Sequence, residues 1–379
     1  MQIEVVDTLE GFEALRAEWE ALVQSSSYAS VFVSWHWQYH WWCNYCRAGA
    51  QLRILVARTD NQVVGILPLY ITRKKILKFF HYKILQFIGM GGDTSPDYLD
   101  AIVVADRVEQ TLKSLADFIF QKLEDWQLLT LSEILGDSLF LSYLMDTARR
   151  QGLATKKAMR ANISYIELPD DWEKYLKQLS ANRRAQLRRS RKKFYSAGDG
   201  KFFVISDEKR LDWAIDKLIE LHHKRWQGRA EHYAFSSPNY ISFHKSVMHD
   251  FIKQNRLRLF CLELDEKVIS MLYCYRWKDT MYYFQGGFDP DYQHLQPGQV
   301  IMGHAIESAI QERLKVFDML KGDYEYKASL AKSCKQTWFF QSFKRNLPIY
   351  IYRFNFHWLP VMKAKIKKLV ERDVVPKNA

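Results

Sequence analysis

Apolar positions along this chain recur in two rhythms, every second residue and every three to four residues. Together they lay out one succession of elements twice. Arg53 to Tyr70 aligns without gaps on Arg258 to Tyr275, with identity at both ends, at Asp60 and Asp265, at Val63 and Val268, and at Leu67 and Leu272. Each copy is two apolar runs around a polar turn, the pattern of a β-hairpin. After the first hairpin the pattern predicts a strand over Ile84 to Ile88, a helix over Val108 to Leu123 and a strand over Leu128 to Ile134. After the second, the aromatic run Met281 to Gln285 reads as a strand that Asp289-Pro290 stops. Gln296-Pro297-Gly298 then opens a helix with Ile301, Ala305 and Ala309 in one row and Ile306, Ile310 and Leu314 in the next, and Val316 to Leu320 reads as a strand. Two similar α/β units in tandem explain this better than a solenoid, although two exposed hairpins can also align by chance.

The amino terminus reads as a strand, Ile3 to Val6, and a helix with Phe12, Leu15, Trp19 and Leu22 on one face; Asp7 and Glu10 fit its cap. A chain of 379 residues exceeds what one core usually serves. The boundary is expected near 150–170, where Arg149 to Gly152 ends a helix and Ile163 to Leu168 starts a strand. That gives units over 1–160 and 161–345, with no long linker to keep them apart. A tail over 346–379 follows. Ile349 to Trp358 is aromatic, and Met362, Ile366 and Leu369 line a helix carrying Lys363, Lys365, Lys367 and Lys368. A terminal helix docked on its own domain and an interfacial anchor on an anionic membrane surface both fit that pattern.

Charge changes the picture in one place. Of the formal +12, seven basic side chains and no acid fall in Asn182 to Lys193. Such a run attracts phosphates of a nucleotide, a tRNA, a lipid-linked sugar or a membrane surface, and equally suits a solvated helix face between Leu179, Leu187 and Phe194. No stacking aromatics are interleaved there, which argues against sequence-specific RNA reading. Five cysteines, an odd number in a long chain, point to reduced thiols and a cytoplasmic protein. Glu4, Asp7, Glu10 and Glu13 interrupt any secretory core, and Ser25 to Ser27, His36, Gln38, His40 and Asn44 argue against a membrane span in the uncharged residues 21–46. His36, His40, Cys43 and Cys46 have the spacing of metal ligands. Trp35, Trp37, Trp41 and Trp42 make that segment a packed aromatic helix instead, and no metal is assigned.

Gly287 to Tyr292, Leu295 to Gly298, and Phe317 to Asp323 with Tyr326-Lys327 resemble the CelD-like acyltransferases of the GNAT superfamily, which are related to the FemAB group. The likeness extends through His223, Arg225-Trp226 and Phe235, and in the first half through Trp41-Trp42, Gly65 to Tyr70 and Asp97 to Asp100. It covers most of residues 30–340. The resemblance implies an α/β (α+β) fold of two tandem GNAT-like units, each a mixed, mostly antiparallel sheet flanked by helices. It also implies acyl transfer from acyl-CoA to an amine or hydroxyl of a small or carbohydrate acceptor, in exopolysaccharide or cell-envelope biosynthesis. The glycine-rich phosphate loop of simple GNAT enzymes is reduced here to Gln296-Pro297-Gly298-Gln299, and FemAB relatives use aminoacyl-tRNA in a similar fold. A tRNA-dependent transferase and a non-catalytic scaffold are therefore the alternatives.

Unpartnered amides at the start of the helix after Gln296 suit a phosphate. Phe284, Gln285, Gly286 and Gly287, with Gln296, Gly298 and Gln299, are the expected donor-binding residues. The Gly286-Gly287 pair marks a place where another backbone or a ligand comes close. Asp323 and Glu325 are candidate bases, Tyr326 a candidate acid, and Lys327 a candidate to steady a phosphate or the oxyanion. His223, Arg225 and Trp226 match the family pattern on the acceptor side, and Arg183 and Arg184 are expected to touch substrate. No equivalent of Gly322 to Lys327 occurs in the first unit, so that unit is expected to be mostly structural.

Overall fold

The computed structural model describes residues 1–76, 80–94, 96–227, 234–322 and 325–354. In the first half of the chain the strands are β1 (Gln2–Val6), β2 (Gln51–Leu52), β3 (Ile54–Thr59), β4 (Gln62–Leu67), β5 (Leu69–Ile76), β6 (Phe80–Phe87), β7 (Ile102–Val103) and β8 (Leu128–Leu135). In the second they are β9 (Ala154–Glu167), β10 (Gly200–Ile205), β11 (Leu257–Leu264), β12 (Lys267–Trp277), β13 (Thr280–Phe288), β14 (Val316–Asp318) and β15 (Ser333–Phe343). The helices are α1 (Leu9–Ala14), α2 (Arg16–Ser25), α3 (Trp35–Tyr45), α4 (Val108–Gln121), α5 (Leu139–Arg150), α6 (Trp172–Gln178), α7 (Ala181–Tyr195), α8 (Leu211–Trp226), α9 (Pro238–Lys253), α10 (Pro297–Gln311), α11 (Glu325–Leu330) and α12 (Leu347–Arg353).

Both hairpins form, β3–β4 and β11–β12, and they share an irregularity that alignment alone does not contain. The register shifts between Ala57 and Arg58 in one and between Leu262 and Glu263 in the other, which are equivalent positions of the repeat. Each turn then closes on two residues with positive φ, Asp60-Asn61 and Asp265-Glu266, the geometry that matches strand twist. In each half an antiparallel neighbour flanks the hairpin, β1 on β3 and β10 on β11. A parallel pair closes each unit: β6 with β8 across α4, and β13 with β14 across α10. Parallel neighbours require a crossover of this kind.

A four-stranded sheet (β1-β3-β4-β7) and an eleven-stranded sheet (β10-β11-β12-β13-β14-β9-β15-β8-β6-β5-β2) result. Pro68 separates β4 from β5 and lets the chain pass from one sheet to the other, whereas β12 runs unbroken. At the centre of the large sheet the halves are exchanged. β9 lies between β14 and β15, and β15 lies between β9 and β8. The segment 154–167, where a boundary was expected, is thus one continuous strand bonded into the second half. One apolar cluster unites the halves across α3, α8 and α9, with Trp37 edge-on to Phe243 at 4.9 Å. A second fills the opposite side of the sheet beneath α6, α7 and α10.

Two local expectations need correction. Thr8, not Asp7, caps the first helix by accepting from the Gly11 amide at 3.1 Å, and that helix breaks at Leu15 into α1 and α2. β14 ends at Asp318, short of Leu320, because the chain there turns into another set of partners. His222 to Trp226 form the cationic end of α8. Of the tail, α12 packs through Ile349 and Tyr352 against Tyr82; Met362 to Leu369 lie outside the described residues. No described helix is long and apolar enough to cross a membrane.

α8 crosses β13 at Gly287, where a Cβ would stand 2.5 Å from the Leu221 carbonyl carbon. Backbone cannot yield as a side-chain tip can, so Gly287→Ala is expected to cost about 1–3 kcal/mol. Urea denaturation with an unchanged m-value would register it as a lower midpoint.

Candidate functional site

β13 and β14 pair only from Thr280–Tyr282 to Val316–Asp318. Beyond that they part: β13 continues to Phe288, and the other chain turns away through Leu320 and Gly322, both with positive φ. β13 also bulges in the gap, since Gln285 faces Tyr273 and Tyr283 faces Cys274, leaving Phe284 without an opposite residue. The opening is a cavity of 430 Å³ lined by Tyr283, Phe284, Gln285, Arg225, Trp226, Tyr326, Lys327, Lys321, Glu133 and Arg160. A second cavity of 390 Å³ lies at the start of α10 and shares Arg225, Tyr283 and Tyr326 with the first. A third, of 660 Å³, is bordered by Asp93, Thr94, Asp97, Ser237 and Tyr240 and shares Phe284, Gln285 and Lys321 with the first. The three therefore adjoin in a row, with the strand gap in the middle.

The α10 end of this row is built for an anion. Gln296 adopts the left-handed conformation, Pro297 opens the helix, and the Gly298 amide has no partner among the described residues. Arg183 reaches in from α7 and donates to Gln299 Oε1 at 3.1 Å and Gln186 Oε1 at 2.6 Å. It is 9 % exposed, its Nε is buried without a hydrogen bond, and among the described residues no carboxylate pairs with it. Burial pushes its pKa below the usual value. An arginine held charged and unneutralised beside a helix start is complementary to phosphate.

A buried charge lattice holds the middle open. Lys327 is 5 % exposed and donates to the carbonyl oxygens of Met319 (2.7 Å), Leu320 (3.0 Å) and Lys321 (2.9 Å), the segment that leaves β14. Burial lowers its pKa to about 8, against the raising influence of Asp97 and Asp318. Asp318 accepts from the Leu320 amide (2.8 Å) and the Tyr98 hydroxyl (2.9 Å), and Lys335 stands 2.7 Å away. Asp97 accepts from the Lys321 amide at 3.0 Å, and Lys321 Nζ lies 3.5 Å from Asp97 Oδ1 and 3.4 Å from Glu133. Burial raises the Asp97 pKa to about 6.

Most of the residues expected from the sequence converge here. Phe284 and Gln285 line the gap, the Gly286 carbonyl accepts from Arg225 at 3.2 Å, and Gly287 is where α8 approaches. Gln296 accepts from Ser190 at 2.5 Å, while Gly298 and Gln299 border the second cavity. Tyr326, Arg225 and Trp226 line the gap, and the Arg225 guanidinium lies over the Trp226 and Phe288 rings. Others are placed elsewhere. His223 Nε2 meets the Phe235 carbonyl oxygen at 3.0 Å, Arg184 donates to the Leu176 carbonyl, and Glu325 is exposed at the start of α11. Asp323 lies outside the described residues. Along α7, Arg188 pairs with Glu173 and Arg191 with Glu307, so part of the basic run is neutralised within the protein. His40 pairs with Asp250 at 2.7 Å, His36 with Glu20, and Cys43 and Cys46 are exposed; among the described residues no side-chain group is arranged to hold a metal ion. Sequence reasoning gave no individual role to Asp97, Glu133, Asp318 or Lys321, although Asp97, Asp318 and Lys321 fall within the stretches that carry the resemblance.

Residues 181–328 match the family described as Acetyltransferase (GNAT) domain. Over that stretch, which is less than half of the chain, the sequence is similar to GNAT-type acetyltransferase domains. Similar solved structures include FemX, at 12% identity and TM-score 0.60, with 92% of this chain and 99% of that chain covered. The C-terminal domain of a putative lysylphosphatidylglycerol synthetase from Agrobacterium fabrum follows at 10% and 0.54, covering 94% and 96%. L-PGS from Bacillus licheniformis stands at 10% and 0.51, covering 89% and 94%. These are likenesses of fold, and they span both halves of the chain. No curated protein matches the sequence.

A carboxyl group whose pKa is higher in the folded than in the unfolded chain keeps its proton longer when folded, so stability falls as pH rises between the two values. For Asp97 that window runs from 3.8 to about 6. Its contribution is a loss of about 1.4 kcal/mol per pH unit inside the window. Asp97→Asn is expected to flatten the wild-type slope there, as read from denaturation midpoints between pH 4 and 6.

Proposed function

We propose that the protein is an acyltransferase that moves an acyl group, in the simplest case acetyl, from acyl-CoA to an amine or hydroxyl of a small or sugar-type acceptor. The single observation that supports this best is the row of adjoining cavities through the strand gap, cationic at the α10 end and acidic at the other. In this reading the nucleotide diphosphate lies at Gly298, Gln299 and Arg183. The pantetheine arm runs along Phe284 to Gly287, its amides bonding the unpaired β13 edge as a third strand would. The acceptor enters through the cavity bordered by Asp93, Thr94 and Asp97.

Direct transfer then requires three events. A base removes the acceptor's proton, the nucleophile bonds to the thioester carbonyl carbon, and the carbon–sulfur bond breaks as the thiolate takes up a proton. Asp97 is our choice of base, since burial brings it closer to neutral pH than an ordinary carboxyl; Asp323 is the second. Tyr326, shared by two of the cavities, is our choice for the proton that returns to sulfur. Lys327 acts by positioning, because its ammonium is committed to the loop carbonyls and fixes the width of the gap. The resemblance to CelD-like enzymes supports a carbohydrate acceptor in envelope or exopolysaccharide synthesis, at the cytoplasmic face of the membrane.

A second reading has a specific observation behind it. FemX is similar in fold over nearly its whole length, and Arg189 and Lys192 on α7 are exposed and lack an ion pair among the described residues. A tRNA donor would lose affinity steeply with salt, and charge removal at Arg189 and Lys192 would weaken it, whereas coenzyme A binding would depend on Arg183. Calorimetric titration with acetyl-CoA at two salt concentrations separates the two. Micromolar binding that weakens about ten- to a hundredfold in Arg183→Ala is the expected result. Absence of heat and of any melting shift would end the acyl-CoA reading.

Lys327→Met is predicted to lower kcat by about a hundredfold or more while coenzyme A affinity at the α10 end changes little. It would also destabilise the fold by about 3–5 kcal/mol, because three carbonyl oxygens lose their partner. Steady-state kinetics beside coenzyme A titration reads the split.

A further inference from the structure

The first unit contains a cavity at the place where the second unit has its α10 pocket. Equivalence follows from the register: Gly65 pairs with Val103 on β7, and its repeat partner Ser270 pairs with Phe288 on β13. Val103 and Phe288 each border the cavity of their own half. The crossing helix supplies its first turns in both, Val108 and Leu112 from α4 and Gly298 and Met302 from α10. The helix after the parallel strand completes both, through Leu139 of α5 with its cap Ser138 and through Tyr326 of α11.

Size and charge differ between the twins. The first-unit cavity is 250 Å³; half of its lining residues are aliphatic, and the polar ones are Asp100, Asp137, Ser27 and Ser138, with Tyr28 and Tyr98. No arginine or lysine lines it, where the α10 pocket has Arg183 and Arg225. The second position of α4 is Glu109, where α10 has Gly298, so an acid occupies the place at which a diphosphate would rest. Tyr28 and Leu139 flank the cavity while 57% and 43% exposed, so its mouth offers apolar surface to a ligand. Burial raises the Asp100 pKa to about 6, which leaves it ionised at neutral pH.

We propose that this cleft in the first unit is a second ligand site, which takes a small amphiphilic cation, an ammonium group on an aliphatic body, and excludes nucleotides. The ammonium lies against Asp100 and Asp137, and the aliphatic part lies between Val103, Val108, Leu112 and Leu139. The site stands independently of the acyl-transfer reading, since none of its lining residues belongs to the row of cavities in the second unit. It is also joined to that row. Tyr98 lines the cavity, and its hydroxyl holds Asp318, the last paired residue of β14.

Calorimetry on the full chain with three matched probes, hexylammonium, hexanol and hexanoate, tests this. Hexylammonium is expected to bind at least tenfold more tightly than hexanol, with hexanoate silent. Asp137→Asn, at an exposed position, should remove most of the difference between the amine and the alcohol. Leu112→Trp, which fills the cleft, should abolish binding of both; a resonance perturbation at Tyr98 on adding hexylammonium locates the site where that variant folds poorly. Equal affinity for amine and carboxylate, no binding of any probe, or binding indifferent to both substitutions would overturn the proposal. Acetyl-CoA titrated in parallel reports on the other pocket, so the two ideas fail separately.

Discussion

Two parallel strands that stop pairing leave backbone groups without their natural partners, and a gap in a sheet closes or fills unless those groups are satisfied in some other way. In this protein the satisfaction is ionic. Lys327 takes the carbonyl oxygens of Met319 to Lys321, while Asp318 and Asp97 take the amides of Leu320 and Lys321. Each of these side chains is buried, so removing either sign would strand the other. The gap between β13 and β14 is a maintained feature, and the cavities on both sides of it exist because it is maintained.

How much of this was legible beforehand depended on whether the signal was local. Both hairpins were visible because a polar turn between apolar runs is a short-range pattern, and the turns sit at Asp60-Asn61 and Asp265-Glu266, where the alignment put them. α10 was visible from its apolar rows and from Pro297. Gly287 was rightly taken for a close approach, and the backbone that approaches is that of α8. The end of β14 was misjudged because Met319 and Leu320 are as apolar as a strand, and only the distant Asp97 and Lys327 divert them. Thr8 and Asp7 are both good caps, and their order is settled by which amide falls in reach.

The site divided in the same way. Phe284 and Gln285, adjacent on β13, and Gly298 at the start of α10 could be singled out from sequence because each belongs to a local strand or helix-start pattern, and they line adjoining cavities. The buried acids could not. Asp97, Glu133 and Asp318 lie in three segments, and although two of these carry the family resemblance, nothing in their spacing brings the acids together before the fold does. The basic run of α7 shows the converse. It is conspicuous as text, yet of that run only Arg183 lines the cavity at the start of α10, and Arg188 and Arg191 answer to Glu173 and Glu307.

The exchange of β9 and β15 has a consequence for how the molecule comes into being. β8 finds its outer neighbour only in β15, just over two hundred positions later in the chain, and β9 waits for both β14 and β15. Neither half can complete its portion of the sheet while the other is still being synthesised. Such long-range closure is slow and leaves sticky strand borders uncovered in the meantime. Assembly of this protein should therefore be a late, concerted event, with nascent chains dependent on shielding by chaperones until the final strand is threaded home.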